Sequence, residues 1–379
     1  MSNATTRTAR SATTAICSDP FETAPGAVSA PRFPQTLGLD VSDKLTHFCL
    51  LGQDGDILDE GRMRTREPDI LHRTAAFAPC RVVLEVGQHS PWLSRLLRTQ
   101  GHEVIVANPH KFALIRASYQ KSDRSDAELL ARAGRFDPVL LCPVVHRPEE
   151  EAADLAFLHA RRQLVAARTS LINHVRGALK ASGVMLPRWD AHAFHSHAPG
   201  SIPAQLAPAL LPLVECIAQL SASIREMEKH ARTLIEERYP QAKALQQVNG
   251  VGPITSLAFV LTLADPHRFN KSRLVGPYLG LTPRQRQSGE RSPQLRITKA
   301  GDTFLRSLLV QSAHYILGPF GKDSDLRRWG LAHLERGGPN QKKRTVIAVA
   351  RRLAVLLHHL LVSGEVYAPL FQQGGAAAA

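Results

Sequence analysis

The chain has 379 residues, enough for two or three domains, and its hydrophobic (44%) and charged (21%) fractions are typical of globular proteins. This composition excludes a wholly disordered or collagen-like chain, and no apolar run reaches the roughly 18 residues that a membrane-spanning helix needs. Five scattered cysteines without CxxC spacing argue against a disulfide framework or a zinc ribbon. Together with an N-terminus that lacks an apolar signal segment, they predict a cytoplasmic protein with no membrane partner.

The net charge of +14 is distributed unevenly along the chain. Residues 1–149 carry 18 basic and 17 acidic side chains, and residues 150–240 carry 10 and 9, so both segments are almost neutral. Residues 241–379 carry 19 basic and 7 acidic side chains, a net charge of +12. Because a strong positive charge indicates a polyanionic partner, the last third of the chain is predicted to bind it.

The N-terminal third predicts a disordered leader at 1–34 and then an α/β domain at 35–149. The predicted strands are 36–42, 46–52, 56–63, 80–86 and 103–107, and the predicted helices are 68–77, 91–100, one that begins at Pro109, and 124–136. Three antiparallel strands followed by alternating helices and strands are the element order of a ribonuclease-H-like, or RuvC-like, fold.

The middle of the chain, 150–240, is dominated by helical periodicity. Apolar residues recur at helical spacing over 150–182 and 203–238, which predicts a long helical hairpin or coiled-coil insert. Pro208 and Pro212 interrupt the start of the second run, so we expect its unbroken helix to begin near Pro212. Such an insert can bridge domains or dimerise, or it can simply connect its neighbours.

A mainly helical domain is predicted at 241–365, followed by a flexible tail at 366–379. Within 245–262, Gly250 and Gly252 form a Gly-x-Gly turn between two helical runs. This pattern resembles a helix-hairpin-helix, in which the glycines let the backbone approach a phosphate and the next helix supplies amide donors. A plain packing corner between two helices is the alternative.

Basic residues concentrate in two segments of this C-terminal domain, and we predict that both bind nucleic acid. The first segment is the loop 283–300, with Arg284, Arg286, Arg291, Arg296 and Lys299. The second is the start of a helix at 342–362, with Lys342, Lys343 and Arg344. For the helix start, a solvated charged face is the alternative.

Four carboxylates of the first domain predict a metal site. Asp40 and Glu85 lie among apolar neighbours in two strands that should be adjacent, and burying an unpaired charge costs several kcal/mol. Asp123 and Asp126 stand three residues apart on one face of a helix start. All four are hard oxygen ligands that suit Mg²⁺, and two such ions can hold both oxygens of a phosphodiester exchange. Taken singly, Asp126 could cap its helix, Asp123 could be a solvated charge, and Glu85 could be an exposed strand end.

Four short motifs surround these carboxylates: GLDVS (38–42), LEVG (84–87), ANPHK (107–111) and KSDRSDAELLA (121–131). Together they resemble the DEDD transposases of insertion sequences, of the one-ten and eleven-eleven type, which are related to pilin-gene-inverting recombinases. Residues 247–317 resemble the second transposase domain of the same family. The resemblance covers 36–362 apart from the middle linker. One departure is the Val-Gly that follows Glu85, where many members have a small residue and then Thr-Gly.

The resemblance implies a chemistry and a set of partners. It implies that Ser288 is a nucleophile that attacks a DNA phosphodiester, forms a phosphoserine and frees a 3′ hydroxyl, assisted by the carboxylates and one or two Mg²⁺ ions. It also implies double-stranded donor and target DNA, a guide (bridge) RNA encoded by the element, and a homo-oligomer, dimer or tetramer, that assembles the complete site. From the residues alone, Ser292 and Ser307 are as eligible as Ser288.

Two other functions fit parts of the sequence. A Mg²⁺-dependent, RuvC-like, structure-specific DNA nuclease would use the same carboxylates without a covalent intermediate, and it would not need Ser288. A decayed, non-catalytic nucleic-acid-binding protein would need neither, although its carboxylates would then have no reason to be intact. A covalent protein–DNA adduct separates the transposase hypothesis from both.

Overall fold

The structure is a computed structural model that describes residues 33–108, 122–285 and 295–370. The chain divides into two compact units, Met1–His146 and Arg147–Ala379. The helical insert and the C-terminal domain, which the sequence suggests as separate regions, therefore lie within one unit. Most of the predicted leader and the helix predicted from Pro109 lie outside the described residues.

The first unit is built on a mixed sheet with the strand order β3-β2-β1-β4-β5. Its strands are β1 (Thr36–Val41), β2 (Leu45–Leu51), β3 (Ile57–Arg64), β4 (Arg81–Glu85) and β5 (Glu103–Ala107). The first three strands pair antiparallel, while β4 and β5 run parallel to β1. All five predicted strands are confirmed to within one residue at each end. The mixed sheet is compatible with a ribonuclease-H-like domain.

Helices cover both faces of this sheet. They are α1 (Glu67–Thr74), α2 (Ser90–Thr99) and α3 (Asp123–Phe136). Leu37 and Leu39 of β1 pack in one core with Ile70 of α1 and Leu93 of α2. Because side chains alternate along a strand, the residues between and after these leucines face the opposite side, where α3 lies.

Two glycines let α3 pack closely on the sheet. A Cβ atom on Gly38 of β1 would overlap the carbonyl oxygen of Ala127 and lie 2.6 Å from the nitrogen of Ala131. A Cβ atom on Gly134 would overlap the side chain of Val83 in β4. The helix axis can therefore approach β1 and β4 to a distance that no larger residue at these positions would permit.

The second unit begins with a long antiparallel hairpin. Its helices are α4 (Glu149–Ala181) and α6 (Ala207–Glu237), joined by a linker that contains the single-turn helix α5 (Phe194–His197). An ion pair between Arg161 and Glu228 and one at 2.9 Å between Asp154 and Arg238 cross between the two arms. At 1.5 Å per residue the arms are about 45–50 Å long.

The predicted start of the second arm is wrong. We expected an unbroken helix from Pro212, but α6 begins at Ala207 and continues through Pro212. Pro208 lies in the first turn, where the backbone N–H that proline lacks would have no intrahelical partner. Pro212 removes one backbone hydrogen bond, and the apolar stripe of Leu210, Val214 and Ile217 packs against α4 and the linker on both sides of it.

The remaining helices enclose a second core. They are α7 (Pro240–Leu245), α8 (Pro253–Leu263), α9 (Val275–Tyr278), α10 (Thr303–Leu317), α11 (Asp325–Glu335) and α12 (Gln341–Ser363). The last nine residues of α8 are buried. Within the predicted tail 366–379, the Tyr367 amide donates to Gln247 Oε1, and the Pro369 carbonyl accepts from the Asp325 amide. The tail therefore begins with residues that are bonded to this unit.

Two helices, α6 and α12, are long and apolar enough to cross a membrane by length and composition alone. Half of the apolar window of α12 is buried inside the unit. His358 of α12 is buried and bonded, with Nδ1 2.9 Å from Ser272 Oγ and Nε2 2.9 Å from the Pro266 carbonyl oxygen. The apolar character of α12 is therefore that of a core helix.

Candidate active site

The sheet and α3 bring the predicted carboxylates to one place. Leu39 of β1 pairs with Leu84 of β4, so Asp40 and Glu85, which follow them, lie side by side at the same edge of the sheet. Both face α3, because Asp40 is two residues beyond Gly38 and Glu85 is two residues beyond Val83. Each of the two carboxylates is half-buried.

The start of α3 supplies the other two carboxylates. Ser122 caps the helix in a capping box with Ser125, so Asp126 is not the cap that one alternative required. Asp123 is one turn before Ala127, the residue that packs on Gly38, and this spacing places it above Asp40. A carboxylate oxygen of Asp40, one of Asp123 and a ring nitrogen of His47 all lie within 4.8 Å of one another.

The electrostatics of this cluster are those of crowded negative charge. The pKa of Asp40 is raised from its ordinary value of 3.8 to about 6, first by burial and then by the carboxylates of Asp123, Asp126 and Glu85, while His47 opposes the shift. Repulsion of this kind is relieved by a bound cation. Asp40, Asp123 and His47 therefore form a donor set that fits a divalent metal ion through oxygen and nitrogen, while Glu85 and Asp126 lie near enough to raise the Asp40 pKa but outside this group of three.

His47 is a member of the cluster that the sequence did not reveal. It lies on β2 directly across from Asp40 in the antiparallel pair. Its Nδ1 is 3.6 Å from the Asp123 Oδ2. The signal that could have found it is the tight turn between Val41 and Leu45, because a short turn fixes which residues of two antiparallel strands face each other.

A cleft of about 180 Å³ opens beside the cluster, lined by residues that include Asp40, Asp43, Glu85 and His89. The Trp92 Nε1–H donates to His89 Nδ1 at 3.1 Å. A neutral His89 ring therefore carries its proton on Nε2, which lies 3.2 Å from Asp43 Oδ1. Asp43, for which the sequence suggested no chemistry, thus orients a histidine at the rim of the cleft.

The basic loop 283–300 contains Ser288 and is named the serine loop. Its residues 286–294, which include Arg286, Ser288 and Arg291, lie outside the described residues. The segments on either side of these residues pair with each other: Pro283 bridges Ile297, and the Arg284 amide donates to the Arg296 carbonyl at 2.9 Å. These paired segments form a short stem, 283–284 with 296–297. Arg284, Arg296 and the nearby Lys299 are exposed.

Arg306 anchors the base of this stem and was also missed by sequence reasoning. It is buried on α10, and its Nη1 donates to the carbonyl oxygens of Leu279 at 3.0 Å and Ala300 at 2.7 Å. These carbonyls belong to the chain segments that lead into and out of the stem. An arginine on an amphipathic helix normally extends into solvent, so a buried arginine is not expected from the sequence pattern here.

The Gly-x-Gly segment forms a turn between α7 and α8. Gly250 has φ +89°, and a Cβ atom there would lie 3.1 Å from Tyr315 Cδ1, so only glycine suits the position. Gly252 and the first turn of α8 line a cleft of about 240 Å³ together with Glu228 and Arg232. A phosphate contact at this turn stays a prediction.

The basic start of α12 is exposed. Lys342, Lys343 and Arg344 occupy its first turn, which contains no acidic residue. Positive charge at a helix N-terminus is unfavourable to the helix, because the partial charge of the unpaired amides is also positive. Three such residues therefore weaken α12 slightly, which is expected where they bind an external anion.

Comparison with known proteins identifies the family. Residues 37–183, which contain Asp40, Glu85, Asp123 and Asp126, match the IS110-type DEDD transposase model. Residues 242–324, which contain Ser288, match the model described as Transposase IS116/IS110/IS902 family. The chain is 30% identical over 342 residues to a probable family 20 transposase of Pseudomonas aeruginosa, covering 88% of this chain and 98% of the relative. The chain belongs to the IS110 family of insertion-sequence transposases.

Other relatives agree with this assignment. The transposase for insertion sequence element IS1111A of Coxiella burnetii is 26% identical over 339 residues, covering 87% of this chain and 90% of the relative. The pilin gene-inverting protein of Moraxella lacunata is 26% identical over 269 residues, covering 69% of this chain and 73% of the relative. The protein is thus an IS110-family transposase, an enzyme that cuts and rejoins DNA.

Proposed function

We propose that this IS110-family transposase attacks DNA with Ser288 while its carboxylate cluster holds one or two Mg²⁺ ions. The observation that carries the metal half of the proposal is the convergence of Asp40, Asp123 and their acidic neighbours at one edge of the sheet. The raised pKa of Asp40, caused by burial and then by those neighbours, supports it. A bound cation would relieve the repulsion among these carboxylates, which His47 only partly opposes at Asp40.

Within this cluster, Asp40, Glu85, Asp123 and Asp126 would hold the metal. Bound Mg²⁺ supplies Lewis-acid stabilisation of the charge that develops on the phosphoryl oxygens. The protein's own contribution would be to hold the ligands: Asp40 and Glu85 lie on the paired strands β1 and β4, and Asp123 and Asp126 lie in the first turn of the capped helix α3. A rigid ligand set of this kind lowers the reorganisation needed to reach the transition state.

Ser288 supplies the nucleophile of the proposed reaction. Its hydroxyl releases its proton to solvent as the oxygen attacks the phosphorus, the bond to the 3′ oxygen breaks, and the departing 3′ oxygen takes up a proton to become a hydroxyl. The phosphoserine keeps the energy of the broken phosphodiester, so a second 3′ hydroxyl can attack it and rejoin the DNA without a high-energy cofactor. Support comes from the exposed Arg284 and Arg296 beside the loop, which would attract a phosphate.

The proposal includes the partners of the reaction. Donor and target double-stranded DNA would contact the basic second unit, with the Gly250–Gly252 turn acting as a helix-hairpin-helix and Lys342, Lys343 and Arg344 binding the backbone. An element-encoded bridge RNA would supply sequence recognition by base pairing. We further infer that α4 and α6 act as a coiled-coil arm between protomers of a dimer or tetramer, and that the protein acts in the cytoplasm.

The decisive experiment looks for a covalent adduct. The full chain is incubated with Mg²⁺, with RNA from the element's noncoding flank, and with an end-labelled duplex that carries the element's terminus, and the products are separated after denaturation. Wild type should give labelled DNA attached to protein, and Ser288→Ala should give none. Ser292→Ala is the matched control, in the same basic loop, and should retain the adduct.

Each outcome separates two hypotheses. An adduct that persists in Ser288→Ala means that another nucleophile reacts. Wild-type protein that only hydrolyses the duplex favours the alternative, a Mg²⁺-dependent RuvC-like nuclease without a covalent intermediate. Full activity in Asp40→Asn or Asp126→Asn would contradict the metal half of the proposal. Sequencing the RNA that co-purifies with the full chain tests the guide.

A further inference from the structure

His47 is positioned as part of the carboxylate cluster rather than beside it. It pairs with Asp40 across the β1–β2 ladder, and only 22% of its side chain is exposed. The separation of 3.6 Å between its Nδ1 and the Asp123 Oδ2 is too long for a hydrogen bond. Within the described ranges neither ring nitrogen of His47 makes a hydrogen bond, so a ring lone pair is available.

The distances fit one ion shared by three side chains. Two ligand atoms that each lie about 2.1 Å from a common ion are roughly 3.0 Å apart in adjacent octahedral positions and about 4.2 Å apart in opposite positions. The ligand atoms of Asp40, His47 and Asp123 lie within 4.8 Å of one another, and the measured separation of 3.6 Å falls between the two octahedral values. The bound of 4.8 Å exceeds the larger octahedral value, so binding of all three atoms to one ion requires the side chains to move closer together.

We propose that His47 is a nitrogen ligand of the divalent cation and that it makes the cluster favour Mn²⁺ or Co²⁺ over Mg²⁺. The inference rests on the metal centre of the proposed function and adds a ligand of a different chemical class to its carboxylates. Mg²⁺ is bound in proteins mainly through oxygen, whereas an imidazole nitrogen suits transition-metal ions, whose affinities rise from Mn²⁺ to Co²⁺. One nitrogen donor therefore shifts the preference of an otherwise all-oxygen site.

The competing role for His47 is purely electrostatic. Its positive partial charge opposes the rise in the Asp40 pKa, and this effect requires no contact with a metal. The two roles differ in a measurable way, because only a directly bound imidazole transfers electron spin from Mn²⁺ to its nitrogen. A spectroscopic test therefore separates them without relying on catalytic activity.

The experiment uses the full-length protein titrated with Mn²⁺ and examined by pulsed electron paramagnetic resonance. Wild type should show ¹⁴N coupling from one bound imidazole, and His47→Ala should bind Mn²⁺ without that coupling. His89→Ala is the matched control, since His89 lies at the same cleft but is engaged by Trp92 and Asp43; it should keep the coupling. Circular dichroism verifies that each variant is folded.

A second variant makes the metal preference measurable. His47→Asp creates an all-oxygen ligand set and should lower the ratio of Mn²⁺ to Mg²⁺ affinity, measured by calorimetry, by at least about tenfold relative to wild type. Coupling that persists in His47→Ala, or that disappears in His89→Ala, overturns the assignment to His47. Mn²⁺ bound to wild type without ¹⁴N coupling overturns the inference and leaves the carboxylate site intact. If wild type binds no Mn²⁺, the proposed metal centre itself fails.

Discussion

The two units of the protein hold charge in opposite ways. In the first unit, negative side chains are gathered around a half-buried Asp40, and their repulsion contributes to its raised pKa. In the second unit, the basic side chains predicted to meet DNA, such as Arg284, Arg296 and Lys342, are exposed and spread over separate segments. Ligands of a cation must converge within a few ångström, whereas contacts to a polyanion follow a long backbone.

This difference determines what each unit requires of its core. The carboxylates depend on a close approach between α3 and β1, which Gly38 permits. The serine loop depends on a stem whose ends are held by the buried Arg306. A small displacement of α3 from β1 should therefore abolish metal binding in the first unit. A similar displacement at the stem in the second unit should only loosen the serine loop. Four predictions test this contrast.

The largest effect is expected for Gly38→Ala. The added Cβ atom would overlap the Ala127 carbonyl and must push α3 away from β1, which should lower the free energy of unfolding of the first unit by about 3 kcal/mol. Divalent-metal binding should be lost with it. Gly87→Ala is the control. Gly87 lines the cleft beside Asp40 and Glu85, but a Cβ atom there would meet nothing within 4 Å. Urea denaturation compares the two, and equal midpoints would contradict the close packing.

Arg306→Ala should lower the free energy of unfolding by less, about 2 kcal/mol, because the buried carbonyl of Leu279 and the part-buried carbonyl of Ala300 lose their donor. Adduct formation should slow as the stem of the serine loop loosens, while metal binding at the first unit should not change. Arg225→Ala, which removes an exposed arginine of α6, is the control and should resemble wild type in both assays. A variant that binds metal more weakly would contradict the separation of the two functions.

Asp40→Asn should stabilise the metal-free protein while it removes a proposed metal ligand. The folded-state pKa of about 6 exceeds the ordinary value of 3.8, so the stability linked to protonated Asp40 is complete below pH 3.8 and is lost as pH rises through 6. At pH 8 without divalent ions, the variant should be more stable than wild type by about 1 kcal/mol, a value reduced for solvent screening of a half-exposed group.

Thermal unfolding between pH 4 and pH 8 measures this effect. The wild-type midpoint should fall with rising pH, and the fall should be weaker in Asp40→Asn; the exposed Asp54→Asn should behave like wild type. Added Mg²⁺ or Mn²⁺ should raise the wild-type midpoint at pH 8 more than that of Asp40→Asn. Parallel pH profiles for wild type and Asp40→Asn would show that the carboxylates are not crowded.

The fold of the first unit was largely predictable because its signals are local. Short β-prone runs separated by turns placed all five strands, and an Asp and a Glu among apolar neighbours drew attention to the carboxylates of β1 and β4 that are proposed to bind metal. The predicted start of α6 was wrong because the expectation that proline breaks a helix applies to the helix interior. Pro208 lies in the first turn of α6, and at Pro212 the helix continues because apolar packing extends past it.

The residues that sequence reasoning missed depend on contacts between distant segments. His47 becomes a candidate ligand only once the β1–β2 register places it opposite Asp40. Arg306 is buried because two carbonyls from elsewhere in the chain need a donor, and a helical pattern cannot show this. Trp189 and Phe194 lie in the linker between α4 and α6, outside the two helical runs, yet they pack with both helices in a small core.

The smallest effect on stability, with a distinct effect on binding, is expected for the triple variant Lys342→Ala, Lys343→Ala, Arg344→Ala. Removing positive charge from the first turn of α12 should leave the unit as stable as before or slightly more stable. If each residue neutralises one phosphate, the slope of log affinity against log salt should become less steep by up to about 2.7, equally for unrelated DNA sequences. The exposed pair Arg225→Ala, Lys229→Ala on α6 is the control. An unchanged slope would show that these residues form only a solvated face, and that the DNA-binding charge of the second unit lies elsewhere.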